Sequence, residues 1–219
     1  MRIRLILKVG MFPEIERSMM RFVIEPEPKS DVRELFEEIS AAGFGTDGVP
    51  INFFGVIACR PDMVRFMWDF GRSVLVEQGA LPGSLKQMMA MSISAKNNCR
   101  YCTVTHTGAL EQMGVPTDVI ISCVDDPSTA KIPAQQRAIL VFAIKAARSA
   151  NDVTDEDVQR LRECGISEGE ILETIAFAAY MNFINTWADA TGIEVDALPA
   201  TDVWGRVVAK ASVVAAQAH

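Results

Sequence analysis

The 219-residue sequence lacks any long uninterrupted run of apolar residues, although hydrophobic residues make up 49% of it. A membrane-spanning helix needs about 20 consecutive apolar residues. The most apolar stretch, 171–190, is interrupted by Glu173, Asn182, Asn185 and Asp189. We therefore expect no membrane span. The high apolar content indicates more apolar surface than a monomer needs, so we expect an oligomer.

Positive charge is also scarce in this chain. There are 21 Lys and Arg residues against 28 Asp and Glu residues, which gives a formal net charge of −7. The basic residues are dispersed and form no stripe along the sequence. Such a surface repels a phosphate backbone, so we expect no nucleic-acid partner.

The N-terminus lacks the pattern of a secretory signal, because its apolar part is short and is interrupted by Lys8 and Glu14. We therefore expect a cytoplasmic protein. The five cysteines are an odd number, which favours thiols with redox or metal-binding roles over a framework of disulfides. Cys59, Cys123 and Cys164 lie in apolar segments without a nearby His or second thiol, so we predict structural roles for them, and we expect Cys59 to be buried.

Alternating strand patterns are scarce as well, apart from one short strand predicted near residues 19–24. Helix-capping residues mark nearly every break in the sequence, so the predicted fold class is all-α. We predict an N-terminal extension with a short helix over residues 1–45, a helical domain over 46–198 and a C-terminal helix over 199–219. Residues 43–48 are predicted to form a flexible joint. The main predicted helices run from Val32 to Ala41 behind the capping pair Asp31 and Glu34, from Met63 to Gln78, from Leu85 to Lys96, and from the capping box Ser167 and Glu170 to Thr191.

Residues that can carry chemistry concentrate between positions 97 and 106. Cys99, Cys102 and His106 are spaced three and then four residues apart, so on an α-helix they project from one face. Asn98 is a good N-cap residue, which predicts a helix that starts at Cys99 and ends at Gly114. The free N–H groups of the first turn would stabilise a thiolate at Cys99 and lower its pKa below the roughly 8.5 of a free cysteine.

The position of His106 favours the other cysteine as nucleophile. His106 lies one turn from Cys102 but two turns from Cys99, about 5–6 Å against about 10 Å along the helix axis. An imidazole at that distance can take the thiol proton and activate the sulfur. The helix dipole is worth about 0.3–1 kcal/mol at an exposed site, so we expect the imidazole to decide in favour of Cys102.

Other uses of a Cys-x-x-Cys pair fit this sequence less well. Zinc would find three ligands and one open position, without a second cluster that closes a structural site. Covalent haem requires a His directly after the second cysteine, where Thr103 stands, and a thioredoxin-like site requires a βαβ setting. A zinc site and a chance alignment of buried thiols with a core histidine remain as alternatives.

The segment from Gln87 to His106 resembles the core motif of the AhpD-like proteins in the carboxymuconolactone decarboxylase superfamily. Segments 52–63 and 180–196 resemble its peroxidase-related subgroup, so the resemblance covers roughly residues 48–198. It implies an all-α, AhpD-like fold that assembles as a homo-oligomer, often a trimer or hexamer. It also implies reduction of hydroperoxides by a dithiol pair, without a metal or an organic cofactor.

The resemblance also implies roles for individual residues. Cys102, the second cysteine of the pair, would attack the peroxide and become a sulfenic acid, and Cys99 would resolve it as a disulfide. A dithiol reductant or lipoyl-type partner protein would then reduce the pair. His106 matches the family, whereas Gln87 replaces the glutamate of its proton relay and cannot transfer a proton. Tyr101 stands where the best-known members have a histidine.

The leading prediction from the sequence is a thiol-dependent hydroperoxide reductase with an antioxidant role. One alternative is a lactone enzyme like the decarboxylases that give the superfamily its name, in which the cysteine pair would be idle. Another is a non-catalytic helical assembly whose thiols sense oxidation and change a partner contact.

Overall fold

A computed structural model describes residues 30–77, 79–196, 203 and 205–207 of the chain. The strand predicted near residues 19–24 and most of the C-terminal helix predicted over 199–219 lie outside these ranges. Nine α-helices run through the described part: α1 Ser30–Ala41, α2 Asn52–Gly55, α3 Pro61–Gly71, α4 Gly83–Lys96, α5 Arg100–Gln112, α6 Thr117–Asp125, α7 Ala134–Arg148, α8 Asp155–Glu163 and α9 Glu168–Thr191. A π-helical turn, Arg72–Val76, extends α3, and 3₁₀ turns lie at Pro127–Thr129 and Ala150–Asp152. The predicted all-α fold class is confirmed for the described residues.

Helix α4 forms the axis of the domain. It packs against α5, α7 and α9, and its residues from Leu85 to Ala95 are buried on nearly every side. A helix that is surrounded in this way has no solvent face, which explains why its apolar residues show little periodicity. Helix α9 is the second long core element, and it packs on both α4 and α7. Among the described helices, none is long and apolar enough to cross a membrane.

Residues 43–48 do not form the flexible joint that we predicted. Strands β1, Gly45–Thr46, and β2, Val49–Pro50, pair antiparallel, with Gly45 opposite Pro50 and Thr46 opposite Val49. The two residues between them, Asp47 and Gly48, both have positive φ, at 52° and 76°. A two-residue turn of this kind matches the twist of the strands it joins, and Asp-Gly is a strong sequence signal for it.

Capping residues determine where the helices begin and end. At α9, Ser167 accepts from the backbone N–H of Glu170, while the Glu170 carboxylate accepts from the backbone N–H of Ser167, which confirms the predicted capping box. At α1 the prediction was wrong by two residues, because the helix begins at Ser30 and Asp31 lies inside its first turn. At the far end of α9, Gly192 adopts the left-handed conformation that ends the helix.

A buried ion pair joins the start of α4 to α9. The Nζ of Lys86 lies 2.7 Å from Oε1 of Glu173, and the exposed fractions of the two side chains are 1% and 18%. The other carboxylate oxygen accepts the backbone N–H groups of Ala80 and Leu81 at 2.7 and 3.2 Å. A Cβ at Gly79 would lie 2.2 Å from Glu173, so the loop before α4 closes tightly over this carboxylate.

Apolar side chains also remain exposed on one side of the molecule, on α3 and α9. Phe66 packs its ring edge to face against Phe183 with centroids 6.4 Å apart, yet the two residues are 57% and 37% exposed. Leu172 and Ile175 continue this face along α9 at 65% and 41% exposure. The face agrees with the expectation of an oligomer, which stays a prediction.

We expect Lys86→Met to lower the free energy of unfolding by about 3–5 kcal/mol, because it leaves the Glu173 carboxylate without its buried cation. Adding Glu173→Leu should recover part of this loss, since the lone buried charge is then gone while two backbone N–H groups lose their acceptor. Urea unfolding of both variants measures the difference. Arg162→Met, which breaks the exposed pair with Glu168, is the matched control and should cost less than about 1 kcal/mol. Equal losses from the buried and the exposed pair would contradict this account.

Candidate active site

The candidate site is built on the corner between α4 and α5. Asn98 has φ +59°, the left-handed conformation, and its N–H donates to Ala95 O at 3.2 Å. The N–H of Cys99 donates to Ser94 O at 2.9 Å, which completes a Schellman ending of α4. Our prediction of Asn98 as N-cap was therefore wrong, because Asn98 ends α4 and Cys99 itself is the N-cap residue of α5. Asn suits both positions, so its identity alone did not decide between them.

Three asparagines hold this corner in place. The Asn97 side chain donates to Oδ1 of Asn182 and to Oδ1 of Asn185, both at 2.9 Å. Asn185 in turn donates to Ser94 Oγ at 2.9 Å, so α9 is tied to the last turn of α4. Sequence reasoning missed this network, although two asparagines three residues apart share a face of an otherwise apolar helix.

The two thiols of the motif are both buried, with Cys99 0% and Cys102 2% exposed, and both are free. A hydrogen bond between their side chains, together with burial, raises the pKa of Cys99 far above its usual value. This reverses the prediction of a lowered pKa at Cys99. That prediction assumed that Cys99 stands inside the first turn, exposed to the free N–H groups. Cys99 therefore keeps its proton at neutral pH, and its thiol is held against Cys102.

His106 lies on the same helix and is 8% exposed. Its Nδ1 is 2.7 Å from Oε1 of Gln87, and burial lowers its pKa to about 4. The imidazole is therefore neutral at pH 7. Because an amide oxygen can accept but not donate, this contact places the ring proton on Nδ1 and leaves Nε2 free to accept a proton. The structure thus brings together Gln87 and His106, and Gln87 orients the imidazole.

Tyr101 is fixed by a carboxylate at the end of the domain. Its hydroxyl donates to Oδ2 of Asp196 at 2.7 Å, and Oδ1 of Asp196 accepts the backbone N–H of Asn52 at 2.7 Å. Burial and the Asp196 carboxylate raise the pKa of Tyr101, so the phenol stays protonated. Tyr101 therefore joins the start of α5 to α2 and to the segment after α9.

Tyr180 is a site residue that sequence reasoning did not single out. A Cβ on Gly71 would lie 2.7 Å from its hydroxyl oxygen, so α3 and α9 approach closely at this glycine. Burial, and to a smaller extent the charge of Cys102, raises the pKa of Tyr180. The ring is held edge to face by Phe70, with centroids 5.0 Å apart.

The three remaining cysteines differ from one another. Cys123 is buried, and burial raises its pKa to about 11. Cys59 and Cys164 are exposed, which corrects the prediction that Cys59 is buried. An alkylating reagent will therefore reach Cys59 and Cys164 before the buried pair, so labelling order does not identify the reactive thiols. Among the described residues, no group of three or more His, Cys, Asp and Glu side chains is arranged to hold a metal ion.

Comparisons with known proteins agree with this arrangement. Residues 61–126, which include both cysteines and His106, match the Carboxymuconolactone decarboxylase family. The fold is similar to the alkylhydroperoxidase AhpD core of a peroxidase-related protein from Ralstonia eutropha JMP134, with a TM-score of 0.71 and 26% identity over 86% of this chain and 96% of that one. No functionally curated protein matches the sequence.

Two further solved structures share the fold at lower identity. A peroxidase-related protein from Silicibacter sp. TM1040 has a TM-score of 0.73 and 22% identity, over 86% of this chain and 96% of that one. A variant of the debrominase Bmp8 bound to 2,3,4-tribromopyrrole has a TM-score of 0.70 and 18% identity, over 89% of this chain and all of the other. Residues 61–126 thus match the Carboxymuconolactone decarboxylase family, and the fold is that of an alkylhydroperoxidase AhpD core.

Proposed function

We propose that this protein is a thiol-dependent hydroperoxide reductase in which Cys102 attacks the peroxide and Cys99 resolves the product. The observation that carries the proposal is the pair of buried, free thiols at the start of a helix that also carries a neutral histidine. The likeness to an alkylhydroperoxidase AhpD core supports the same chemistry.

The first step oxidises Cys102. The free Nε2 of His106, one helical turn away, accepts the thiol proton, and the sulfur attacks one oxygen of the hydroperoxide. The sulfur–oxygen bond forms as the oxygen–oxygen bond breaks, and the departing alkoxide takes a proton to leave as the alcohol. Cys102 has then lost two electrons and carries a sulfenic acid.

The second step joins the two cysteines. The sulfur of Cys99 attacks the sulfenyl sulfur of Cys102, the sulfur–oxygen bond breaks, and hydroxide leaves as water with the proton from Cys99. The contact between the two thiols means that little movement is needed for this step. A dithiol reductant, such as a lipoyl-type partner, then reduces the disulfide and becomes a disulfide itself.

The position of Cys99 as N-cap residue supports this assignment of roles. From the sequence, the helix dipole favoured a thiolate at Cys99 and the histidine favoured one at Cys102, because both cysteines lay within the predicted helix. In the structure Cys102 lies in the first turn of α5, where the dipole favours negative charge, and Cys99 lies before it. Both effects now favour attack by Cys102.

We expect Cys99→Ser to consume one equivalent of hydroperoxide and to accumulate a sulfenic acid at Cys102, because its resolving thiol is gone. Cys102→Ser should consume almost none. Both variants are best made in a Cys59→Ser, Cys164→Ser background, which removes the exposed thiols from the count. Peroxide consumption and dimedone trapping, mapped by mass spectrometry, measure the result. Trapping on Cys99 in the Cys102→Ser variant would show that the roles are exchanged.

We expect Gln87→Glu to raise peroxide turnover, because a carboxylate beside Nδ1 strengthens His106 as a base and restores a group that can relay protons. A positioned general acid or base contributes roughly 10²–10⁴-fold where proton transfer limits the rate. The pKa of His106 should rise above its present value of about 4, which an NMR titration measures. Gln112→Glu makes the same change at an exposed position of α5 and should alter neither quantity. A raised pKa without faster turnover would mean that the reaction uses another proton path.

The competing functions are separated by substrate and by turnover. After both cysteines are replaced by serine, a lactone enzyme would still act on a muconolactone. A thiol peroxidase with the same two replacements would no longer act on peroxide. Because one structure of this fold is a debrominase bound to 2,3,4-tribromopyrrole, that compound belongs in the same assay. If the cysteine pair is oxidised once and no dithiol can reduce it, the result would favour the non-catalytic redox sensor.

A further inference from the structure

A cavity of about 320 Å³ lies between α7 and α8. Most of its lining residues come from these two helices, and Cys164 lines it directly after the end of α8. None of the residues assigned to the candidate active site lines it. Sites that hold small molecules have volumes of roughly 300–1,000 Å³, so this cavity has room for a small ligand.

The lining of this cavity is positively charged, although the protein as a whole has a formal net charge of −7. Arg137, Lys145 and Arg160 line it, against one carboxylate among the described lining residues, that of Asp157. A hydrogen bond from Lys145, the largest of several contributions, holds the pKa of Asp157 well below its usual range. Asp157 is therefore ionised at neutral pH, and the cations still outnumber it by two.

Asp157 holds two of these cations in place. Its Oδ2 accepts from Lys145 Nζ at 2.5 Å and from the backbone N–H of Thr154 at 2.9 Å. Its Oδ1 accepts from Nη2 of Arg160. Because these two cations are ordered before a ligand arrives, an anion that binds beside them causes little further loss of side-chain freedom.

Arg137 is the cation that remains for a ligand. Its Nη1 donates to the backbone oxygen of Ala130 at 2.9 Å. Lys145 and Arg160 both pair with Asp157, whereas Arg137 makes no ion pair within the part of the chain that the structure describes. A guanidinium has five N–H donors in a planar fork, and this fork matches the oxygens of a carboxylate or phosphate. Arg137 therefore has donors left for an anion.

Apolar side chains line the same cavity. Val141 lies four residues after Arg137 and four before Lys145, so a valine stands between two cations on one face of α7. Val141 is 40% exposed, although it lies in the middle of a core helix. Phe142 and Leu161 add buried apolar surface to the lining. An inorganic anion would leave this apolar surface in water, whereas an anion with an apolar body would cover it.

We propose that the cavity between α7 and α8 binds a small organic anion with an apolar body, of which a medium-chain carboxylate is the simplest example. The anionic group pairs with Arg137, and the apolar body covers Val141. The bound molecule also covers Cys164, the exposed thiol at this cavity, and shields it from reagents. This inference does not rest on the proposed peroxidase function, because the two sites share no residue.

The test is a calorimetric titration of the full-length protein with octanoate, with acetate and with 1-octanol. Acetate has the charge without the apolar body, and 1-octanol has the apolar body without the charge. Octanoate should bind about tenfold or more tightly than either, since a hydrogen bond to a charged group is worth at least that factor. In parallel, alkylation of Cys164 by iodoacetamide, followed by peptide mass spectrometry, should slow in proportion to the fraction of protein bound. Alkylation of Cys59, which is also exposed but lies outside the cavity, should not change.

Two variants locate the site. Arg137→Gln should weaken octanoate binding by about tenfold or more, because it removes the cation that pairs with the carboxylate. Val141→Glu should weaken it as well, and this change places a like charge in the cavity at an exposed position without removing a hydrogen bond. Arg162→Gln, which removes a cation of α8 that does not line the cavity, is the matched control and should leave the affinity unchanged.

Three results would overturn the inference. Octanoate binding no tighter than that of 1-octanol would show that the cavity does not recognise the anion. Binding that leaves the alkylation rate of Cys164 unchanged would place the ligand elsewhere on the protein. Full affinity in both Arg137→Gln and Val141→Glu would exclude the cavity in the same way. Each of these results leaves the proposed peroxidase function untouched, because that function is tested at Cys99 and Cys102.

Discussion

The site depends on the turn at Asn98, where one buried helix ends and the next begins. The left-handed backbone at this residue ends α4 and places Cys99 directly before α5. Every later feature follows from that placement. Cys102 falls in the first turn, His106 stands one turn further on, and the hydrogen bonds of Asn97 to α9 prevent the corner from shifting. The spacing in the sequence sets which residues share a face, and the turn sets where that face points.

Burial determines the chemistry that the face can perform. It keeps Cys99 protonated and His106 neutral, so the pair begins with a proton donor and a proton acceptor at defined atoms. The imidazole has one polar neighbour from elsewhere in the fold, the side-chain amide of Gln87. A buried site with few polar contacts is sensitive to each of them, because water is not present to replace a lost hydrogen bond.

Local signals in the sequence predicted the fold class and most of the helices. The capping box of Ser167 and Glu170 is an example, since both partners lie within one turn. The Asp47–Gly48 hairpin is equally local, and its signal was present but was interpreted as a flexible joint. Asn98 illustrates a real ambiguity, because an asparagine is favoured both before a helix and in the left-handed residue after one. Its role was settled by the backbone and not by its identity.

Contacts between distant segments were beyond the reach of the sequence. The motif predicted Cys99, Cys102 and His106 as a group because they are neighbours on one helix. Only the family resemblance placed Gln87 with His106, a contact that spans 19 positions, and nothing indicated the contact between Tyr101 and Asp196, which spans 95. Nothing in a single sequence indicates which carboxylate will meet which side chain across such distances. The raised pKa of Cys99 was missed for another reason, since it depends on the neighbouring thiol of Cys102 and on burial, whereas the prediction placed Cys99 inside an exposed first turn.

The central claim is that Cys99 and Cys102 act together as a redox pair. The most direct measurement is mass spectrometry of the intact protein, followed by peptide mapping, after reaction with one equivalent of hydroperoxide. The account predicts the loss of two hydrogens and a disulfide between Cys99 and Cys102, with Cys59 and Cys164 unchanged despite their exposure. Unchanged thiols in the pair, or oxidation confined to the exposed cysteines, would contradict it.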